Sequence, residues 1–216
     1  MSKVLMRETR KLSFGEEVGN SISHGVMGIV CLFLLPYTAI YSYINKGIAT
    51  SIGTSIYMIC MFMMFMGSCI YHTMKHGSTH KYVFRKLDHC FIYLAIAGTY
   101  TPILIYLIGG KLGITLLVVQ WLATIAGILI TSISKYHHKH LSMILYMTMG
   151  WIAVLILPKL LEVGSAWFLG LIVLGGIFYT VGAYFFVKKF PYAHFVWHIF
   201  IVLASISHFI VVVYLM

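Results

Sequence analysis

Seven apolar stretches, each long enough to cross a lipid bilayer as a helix, make up most of this 216-residue sequence. A helix needs about 20 residues, within a range of roughly 17–25, to cross the hydrocarbon core. The stretches are separated by short segments, and they cover residues 22–45, 49–72, 88–108, 112–133, 141–157, 164–187 and 194–216. The alternating pattern of transmembrane strands is missing. We predict an all-α integral membrane protein: a seven-helix bundle forming one domain over residues 22–216, after a polar segment, 1–21.

The composition agrees with a membrane protein and excludes a soluble fold. Hydrophobic residues make up 61% of the chain and charged residues 9%, against about 25% charged residues in a typical soluble domain. A formal net charge of +10 would suit nucleic acid, but too little polar surface remains to form a binding patch. We expect membrane lipids as partners and no nucleic acid, and the oligomeric state stays open.

The distribution of Lys and Arg predicts the orientation in the membrane. The N-terminal segment and the loops after the second, fourth and sixth stretches carry twelve of them, including Lys81, Arg85 and Lys86 after the second stretch. The other loops carry three, one of them at the predicted turn Pro158-Lys159. Because loops rich in Lys and Arg remain in the cytoplasm, we predict a cytoplasmic N-terminus and an outside C-terminus.

Polar side chains that are costly inside a bilayer gather in one leaflet of this topology. His72 ends the second stretch, Ser68 lies one helical turn before it, and Asp88 opens the third. His194 and His198 open the seventh stretch at a spacing of four, which places both on one helix face. All five fall on the cytoplasmic side, and ionisable residues in spanning helices usually mark a functional site.

Three imidazoles with one open position are the ligand set of a catalytic zinc site. A nearby carboxylate such as Asp88 can hold a metal-bound water and take its proton. The alternative is a set of hydrogen bonds between helices that only stabilises the bundle. Asn20 and His24, again four residues apart, open the first stretch at the same end.

The seventh stretch carries a polar stripe that continues towards the middle of the membrane. His194, His198, Ser205 and His208 fall on one helix face. The stripe indicates either a hydrated cavity leading to the metal or polar contacts that face the interior of the bundle.

Three motifs resemble the bacterial hemolysin III-like branch of the progestin and adipoQ receptor superfamily. They are Glu17-x-x-Asn20-x-x-x-His24, Ser68-x-x-x-His72 followed by Asp88, and His194-x-x-x-His198. The resemblance implies a seven-helix bundle with a cytoplasmic N-terminus in a bacterial plasma membrane. It also implies zinc held by His72, His194 and His198.

The same resemblance assigns roles to the other polar residues. Asp88 would hydrogen-bond the zinc-bound water, Ser68 would support the site, and Asn20 and His24 would give structural support. It further implies zinc-dependent hydrolysis of a membrane lipid amide or ester, with the lipid in a cavity within the bundle, or a role in membrane homeostasis. The alternatives are a hemolysin III-type pore-forming cytolysin, which fits poorly with seven apolar spans, and a non-catalytic receptor with structural zinc.

Overall fold

A computed structural model describes residues 11–134 and 139–216, and helices account for most of them. The α-helices are α1 (Phe14–Lys46), α2 (Ile48–Thr73), α3 (Thr79–Pro102), α4 (Gly110–Ile133), α5 (Lys139–Gly150), α6 (Leu157–Val163), α7 (Ala166–Val187) and α8 (Ala193–Ile210). Shorter π-helical turns continue α3 over Ile103–Ile108 and α8 over Val211–Leu215. A 3₁₀ segment, Trp151–Ile156, joins α5 to α6.

Within these described residues, seven helical spans are long and apolar enough to cross a membrane. α1, α2, α4 and α7 each form one span, α3 and α8 do so with their π turns, and α5 and α6 together form the fifth. The predicted all-α, seven-span fold is therefore confirmed.

Two of the helices, α1 and α3, begin about two turns earlier than the apolar pattern predicts, because serine caps start them. The Ser13 side chain accepts a hydrogen bond from the Glu16 N–H and opens α1 at Phe14, and Ser78 opens α3 in the same way. The predicted starts at residues 22 and 88 are wrong for this reason. Lys81 therefore lies in α3 and not in a loop.

The regular α-helix of the fifth span is interrupted in the middle, and a side chain from α3 forms hydrogen bonds with the backbone groups at the interruption. The Tyr100 hydroxyl donates to the carbonyl oxygen of Gly150 and accepts from the N–H of Ala153. The span then resumes as α6 with Pro158 in its first turn, where proline is tolerated. The predicted turn at Pro158-Lys159 is wrong, because the helix continues through it to Val163.

The spans formed by α2, α3 and α8 are the most enclosed in the bundle. α1 packs along α2, α2 along α3, and α7 along α8, while the start of α1 also meets α8. Glycines allow some of these close approaches: a methyl group on Gly28 of α1 would come within 2.5 Å of the Met66 sulfur on α2. The residues predicted to be functional lie on or beside the enclosed spans.

Candidate metal centre

Three histidines from two helices meet at one end of the bundle. His72 lies in the last turn of α2, and His194 and His198 lie in the first turns of α8. His72 and His198 are buried, and His194 is half-buried. The ring centroid of His72 lies 5.3 Å from that of His194 and 4.9 Å from that of His198. The predicted convergence of these three imidazoles is confirmed.

The ligand atoms of these residues fit a metal ion. One nitrogen from each ring lies within 4.8 Å of the other two. The Nε2 atoms of His194 and His198 are 3.3 Å apart. Two nitrogens that bind one tetrahedral zinc at about 2.0–2.1 Å lie roughly 3.3–3.4 Å apart. Nε2 of His72 is buried and, among the described residues, has no hydrogen-bond partner. His72, His194 and His198 are therefore placed to bind a metal ion.

Glu17 on α1 sets the chemical state of the His72 ring. Its Oε2 atom lies 2.6 Å from Nδ1 of His72, and the side-chain amide nitrogen of Asn20 lies 3.4 Å from the same ring atom. A carboxylate can only accept a hydrogen bond, so Nδ1 carries the proton and donates. In the neutral ring, a proton on Nδ1 leaves the lone pair on Nε2, which is the tautomer that a metal ligand requires.

The sequence patterns assign no role in this site to Glu17 or to Lys81. The ammonium group of Lys81 lies 2.5 Å from Oε1 of Glu17 and 4.9 Å from the ring centre of Tyr71, and the residue is buried. A buried lysine requires such a partner, because an unpaired buried charge is costly. The sequence contains one indication that Glu17 belongs to the site: it lies three residues before Asn20, which places both on the same helix face.

Asp88 lies near His72 and His194 but does not join the group of three histidines as a ligand. Its side chain is 14% exposed, it lies 3.4 Å from Nδ1 of His89, and it interacts electrostatically with His72 and His194. Ser68 is buried one turn before His72. Among the residues that the structure describes, its hydroxyl makes no hydrogen bond with the three imidazoles. The roles predicted for Asp88 and Ser68 stay predictions.

Asn20 and His24 face the same region from α1, and both are buried. The ring of His24 stacks on that of His198 at a centroid distance of 3.8 Å, and it meets the Phe65 ring edge-on at 5.1 Å. Neither ring nitrogen of His24 has a hydrogen-bond partner within the described part of the chain. Both residues thus contact the metal-binding histidines, and their supporting role stays a prediction.

The outer part of the predicted stripe makes polar contacts inside the bundle. The Ser205 hydroxyl donates to the carbonyl oxygen of Ile201 and lies 3.2 Å from the hydroxyl of Tyr179. His208 lies 3.3 Å from the carbonyl oxygen of Ile172 on α7. These contacts correspond to the second of the two alternatives, polar side chains that link helices.

Comparison with known proteins agrees with this architecture. The profile of the family described as "Haemolysin-III related" matches residues 12–209. The chain belongs to this haemolysin III-related family. Its relatives include Hemolysin-3 of Bacillus cereus, which is 34% identical over 200 residues that cover 92% of this chain and 91% of that protein. The Hemolysin-3 homolog of Bacillus subtilis (strain 168) is 34% identical over 201 residues, 92% of this chain and 93% of that protein.

A more distant relative extends the likeness to animals. The human Monocyte to macrophage differentiation factor is 26% identical over 163 residues, which cover 71% of this chain and 66% of that protein. The family and the seven spans identify a multi-pass membrane protein, and the bacterial relatives agree with the predicted plasma membrane location.

Proposed function

We propose that this protein is a zinc-dependent hydrolase that acts on an amide or ester bond of a membrane lipid. The observation that carries the proposal is the group formed by His72, His194 and His198. Structural zinc sites have four protein ligands, whereas catalytic sites have three and leave one position open. Within the described residues, no fourth His, Cys, Asp or Glu joins the group. Imidazole ligands suit zinc, although they also bind other divalent transition metals.

The chain supplies a base and supporting residues beside these ligands. Zinc bound there would act as a Lewis acid that polarises a carbonyl group and makes water a stronger nucleophile at neutral pH. We assign Asp88 as the general base, because it is the carboxylate near His72 and His194 that could hold a metal-bound water and take its proton. We assign Ser68, one turn before His72, a supporting role in the site.

An apolar cleft deeper in the bundle, separated from the metal ligands by the rings of Phe65 and His24, supports a lipid as the substrate. It has a volume of about 220 Å³, lies between α1, α2 and α8, and is lined almost wholly by apolar side chains such as Leu34, Met61 and Ile206. Phe65 forms part of its wall, and the same ring contacts His24, which stacks on His198. A lipid chain in this cleft would have to extend past Phe65 and His24 for its polar head to reach the metal ligands.

Metal analysis and lipid turnover test the proposal together. Protein purified without chelators is analysed for metals, and wild type is compared with His198→Ala. We expect stoichiometric zinc in wild type and background zinc in the variant. Product release is then measured on a panel of N-acyl and O-acyl lipids for wild type and Asp88→Asn. We expect turnover by wild type only, because the amide cannot serve as the base and preserves the side-chain shape.

Each result other than these contradicts a defined part of the proposal. If wild-type protein contains no zinc, the assignment of zinc is refuted. If wild type and Asp88→Asn turn over lipid equally, the assignment of Asp88 as the base is refuted. Zinc without turnover of any lipid favours a receptor or sensor with a structural ion.

The names of the two Bacillus relatives favour a second candidate, cytolysis by pore formation. Dye release from liposomes of bacterial lipids separates the two functions. Leakage that is the same for wild type, His198→Ala and Asp88→Asn would support pore formation, whereas we expect no release.

A further inference from the structure

The first turn of α1 carries two adjacent carboxylates that contact different halves of the candidate metal centre. Glu16 is buried, and the side chain of Glu17 is 18% exposed. The turn is fixed by a capping box, in which Ser13 accepts from the N–H of Glu16 and the Glu16 carboxylate accepts from the N–H of Ser13. The capping box therefore holds the Glu16 carboxylate directly and fixes the helical turn from which the Glu17 side chain extends.

Glu17 fixes the half of the site that comes from α2. Its two oxygens are used separately: Oε2 accepts from Nδ1 of His72, and Oε1 accepts from the ammonium group of Lys81 on α3. Lys81 thereby holds the carboxylate in the orientation that keeps Nε2 of His72 directed away from Glu17. Helix α1 thus bridges the end of α2 and the start of α3 through a single side chain.

Glu16 fixes the half of the site that comes from α8. Its Oε1 atom accepts a hydrogen bond of 2.7 Å from the N–H of Tyr192, the residue immediately before α8. Tyr192 has a φ of 61°, which is uncommon for a residue other than glycine and requires support from its surroundings. His194 follows two residues later, so the direction in which α8 begins determines where this ligand lies.

Two glycines let the start of α1 approach α8 this closely. A methyl group on Gly15 would come within 2.9 Å of the Tyr192 hydroxyl oxygen, and one on Gly19 within 3.0 Å of the Phe195 ring. Phe195 directly follows His194. The contact surface between the two helix starts therefore lies directly beside a metal-binding histidine.

We propose that Glu16 and Glu17 are positioning residues that bring the two halves of the metal centre together, with Lys81 acting through Glu17. The proposal rests on the metal site assigned above and does not depend on lipid hydrolysis. Partners that orient a ligating histidine typically contribute about 10–100-fold to metal affinity. A graded loss of metal affinity is therefore the expected sign of a positioning role.

Metal affinity is measured by competition with a chromogenic chelator for Zn²⁺, on detergent-purified full-length protein. Glu17→Ala combined with Lys81→Met avoids leaving a buried unpaired charge, and we expect it to weaken Zn²⁺ binding about 10–100-fold. Glu17→Gln keeps a hydrogen-bond acceptor for His72 and should lose less. Lys81→Met alone should lose least, because Glu17 still contacts His72. Glu16→Ala tests the α8 half and should weaken binding within the same range.

A spectroscopic readout separates positioning from general destabilisation. Co²⁺ is loaded in place of Zn²⁺, and its visible absorption reports the geometry of the ligands. We expect band positions to shift in Glu17→Gln and Glu16→Ala at a temperature where both variants remain folded. The matched control is the exposed pair Lys159 and Glu162, 2.7 Å apart, changed to Lys159→Met and Glu162→Gln. Neither affinity nor spectrum should change in the control.

Hydrogen exchange provides an independent check, since coupling between metal binding and these contacts is reciprocal. Zn²⁺ should slow amide exchange over residues 14–20 in wild type, and less so in Glu17→Gln. The proposal is overturned if wild type binds Zn²⁺ and the carboxylate variants match it in affinity and Co²⁺ spectrum. If wild-type protein binds neither Zn²⁺ nor Co²⁺, the metal site is refuted, and the positioning role of Glu16 and Glu17 is refuted with it. Metal binding without lipid turnover refutes only the hydrolase function.

Discussion

His198 and His208 have the same side chain on the same helix, α8, but they have different surroundings, and His198 is buried whereas His208 is half-buried. His198 lies among the rings of His24, His72 and His194, so its neighbours come from α1, α2 and α8 itself. His208 lies on the other part of the helix, and its Nε2 donates to a backbone carbonyl oxygen of α7.

The difference between them shows what makes a buried histidine a candidate ligand. A metal requires a ring nitrogen with a free lone pair and other ligands close to it. Nε2 of His198 lies 3.3 Å from a second imidazole nitrogen, whereas Nε2 of His208 uses its proton on the Ile172 carbonyl. The two residues share a helix face, so the face alone does not distinguish a metal ligand from a contact between helices, whereas the partners do.

Exchanging each histidine for alanine tests this comparison most strongly. We expect His198→Ala to lower Zn²⁺ affinity by more than about 100-fold, because it removes a ligand. Removing a residue that only orients a ligand lowers metal affinity by at most about 100-fold. His208→Ala should retain stoichiometric Zn²⁺, since its ring contacts Ile172 and Tyr179 on α7 and, within the described residues, none of the three candidate ligands. Metal content per chain, measured after size-exclusion chromatography, checks both. If both variants lose zinc while both remain monodisperse, the polar stripe from His194 to His208 contributes to metal binding as a whole.

The sequence was sufficient to predict the seven spans and the convergence of the ligands. Lys and Arg in the loops place His72 and His194 in one leaflet, and a spacing of four places His198 on the face of His194. Both predictions depend on local periodicity and on charge, which can be seen in a single sequence.

The contacts that orient these ligands could not be predicted in the same way. Glu17 and Lys81 were assigned to a polar segment and a loop, because the apolar pattern does not show where a capped helix begins. Periodicity also gives His198 and His208 the same face, but it does not show that the neighbour of one is an imidazole and that of the other a carbonyl. Such partners depend on how helices far apart in the sequence pack.

Removing the metal should affect one part of α8 and leave the other unchanged. Free Zn²⁺ at 100 times its dissociation constant stabilises the protein that binds it by about 2.7 kcal/mol. We expect a chelator to increase amide exchange over residues 193–198, where two ligands lie, and not over residues 205–210. Hydrogen exchange followed by mass spectrometry measures both regions in one sample. His198→Ala supplies the control, since the chelator should have no effect on it. Equal changes in amide exchange in both regions of wild type would contradict the expectation that only the first region depends on the metal.

A substitution on α7 should affect the His208 region alone. A side chain on Gly175 would collide with the His208 ring, so we expect Gly175→Val to destabilise the protein by about 1–3 kcal/mol through overpacking. Gly176→Val is the matched control, because among the described residues no atom outside its own helix turn lies within 4 Å of a methyl group there. Unfolding in bicelles measures the free energy, and zinc content should stay unchanged in both. Loss of zinc in Gly175→Val would show that the two regions are coupled.

The smallest expected effect concerns the hydrogen bond that lies between the two regions. Because the Ser205 hydroxyl donates to the Ile201 carbonyl oxygen, the Tyr179 hydroxyl is the donor to Ser205. Tyr179→Phe removes that bond and should cost about 0.5–1.5 kcal/mol of unfolding free energy, with no change in zinc affinity. Tyr106→Phe is the control, since Tyr106 is 44% exposed and its change should cost less. A fall in zinc affinity in Tyr179→Phe would instead mean that Ser205 and the metal centre act together, and the stripe would then extend the site towards the middle of the membrane.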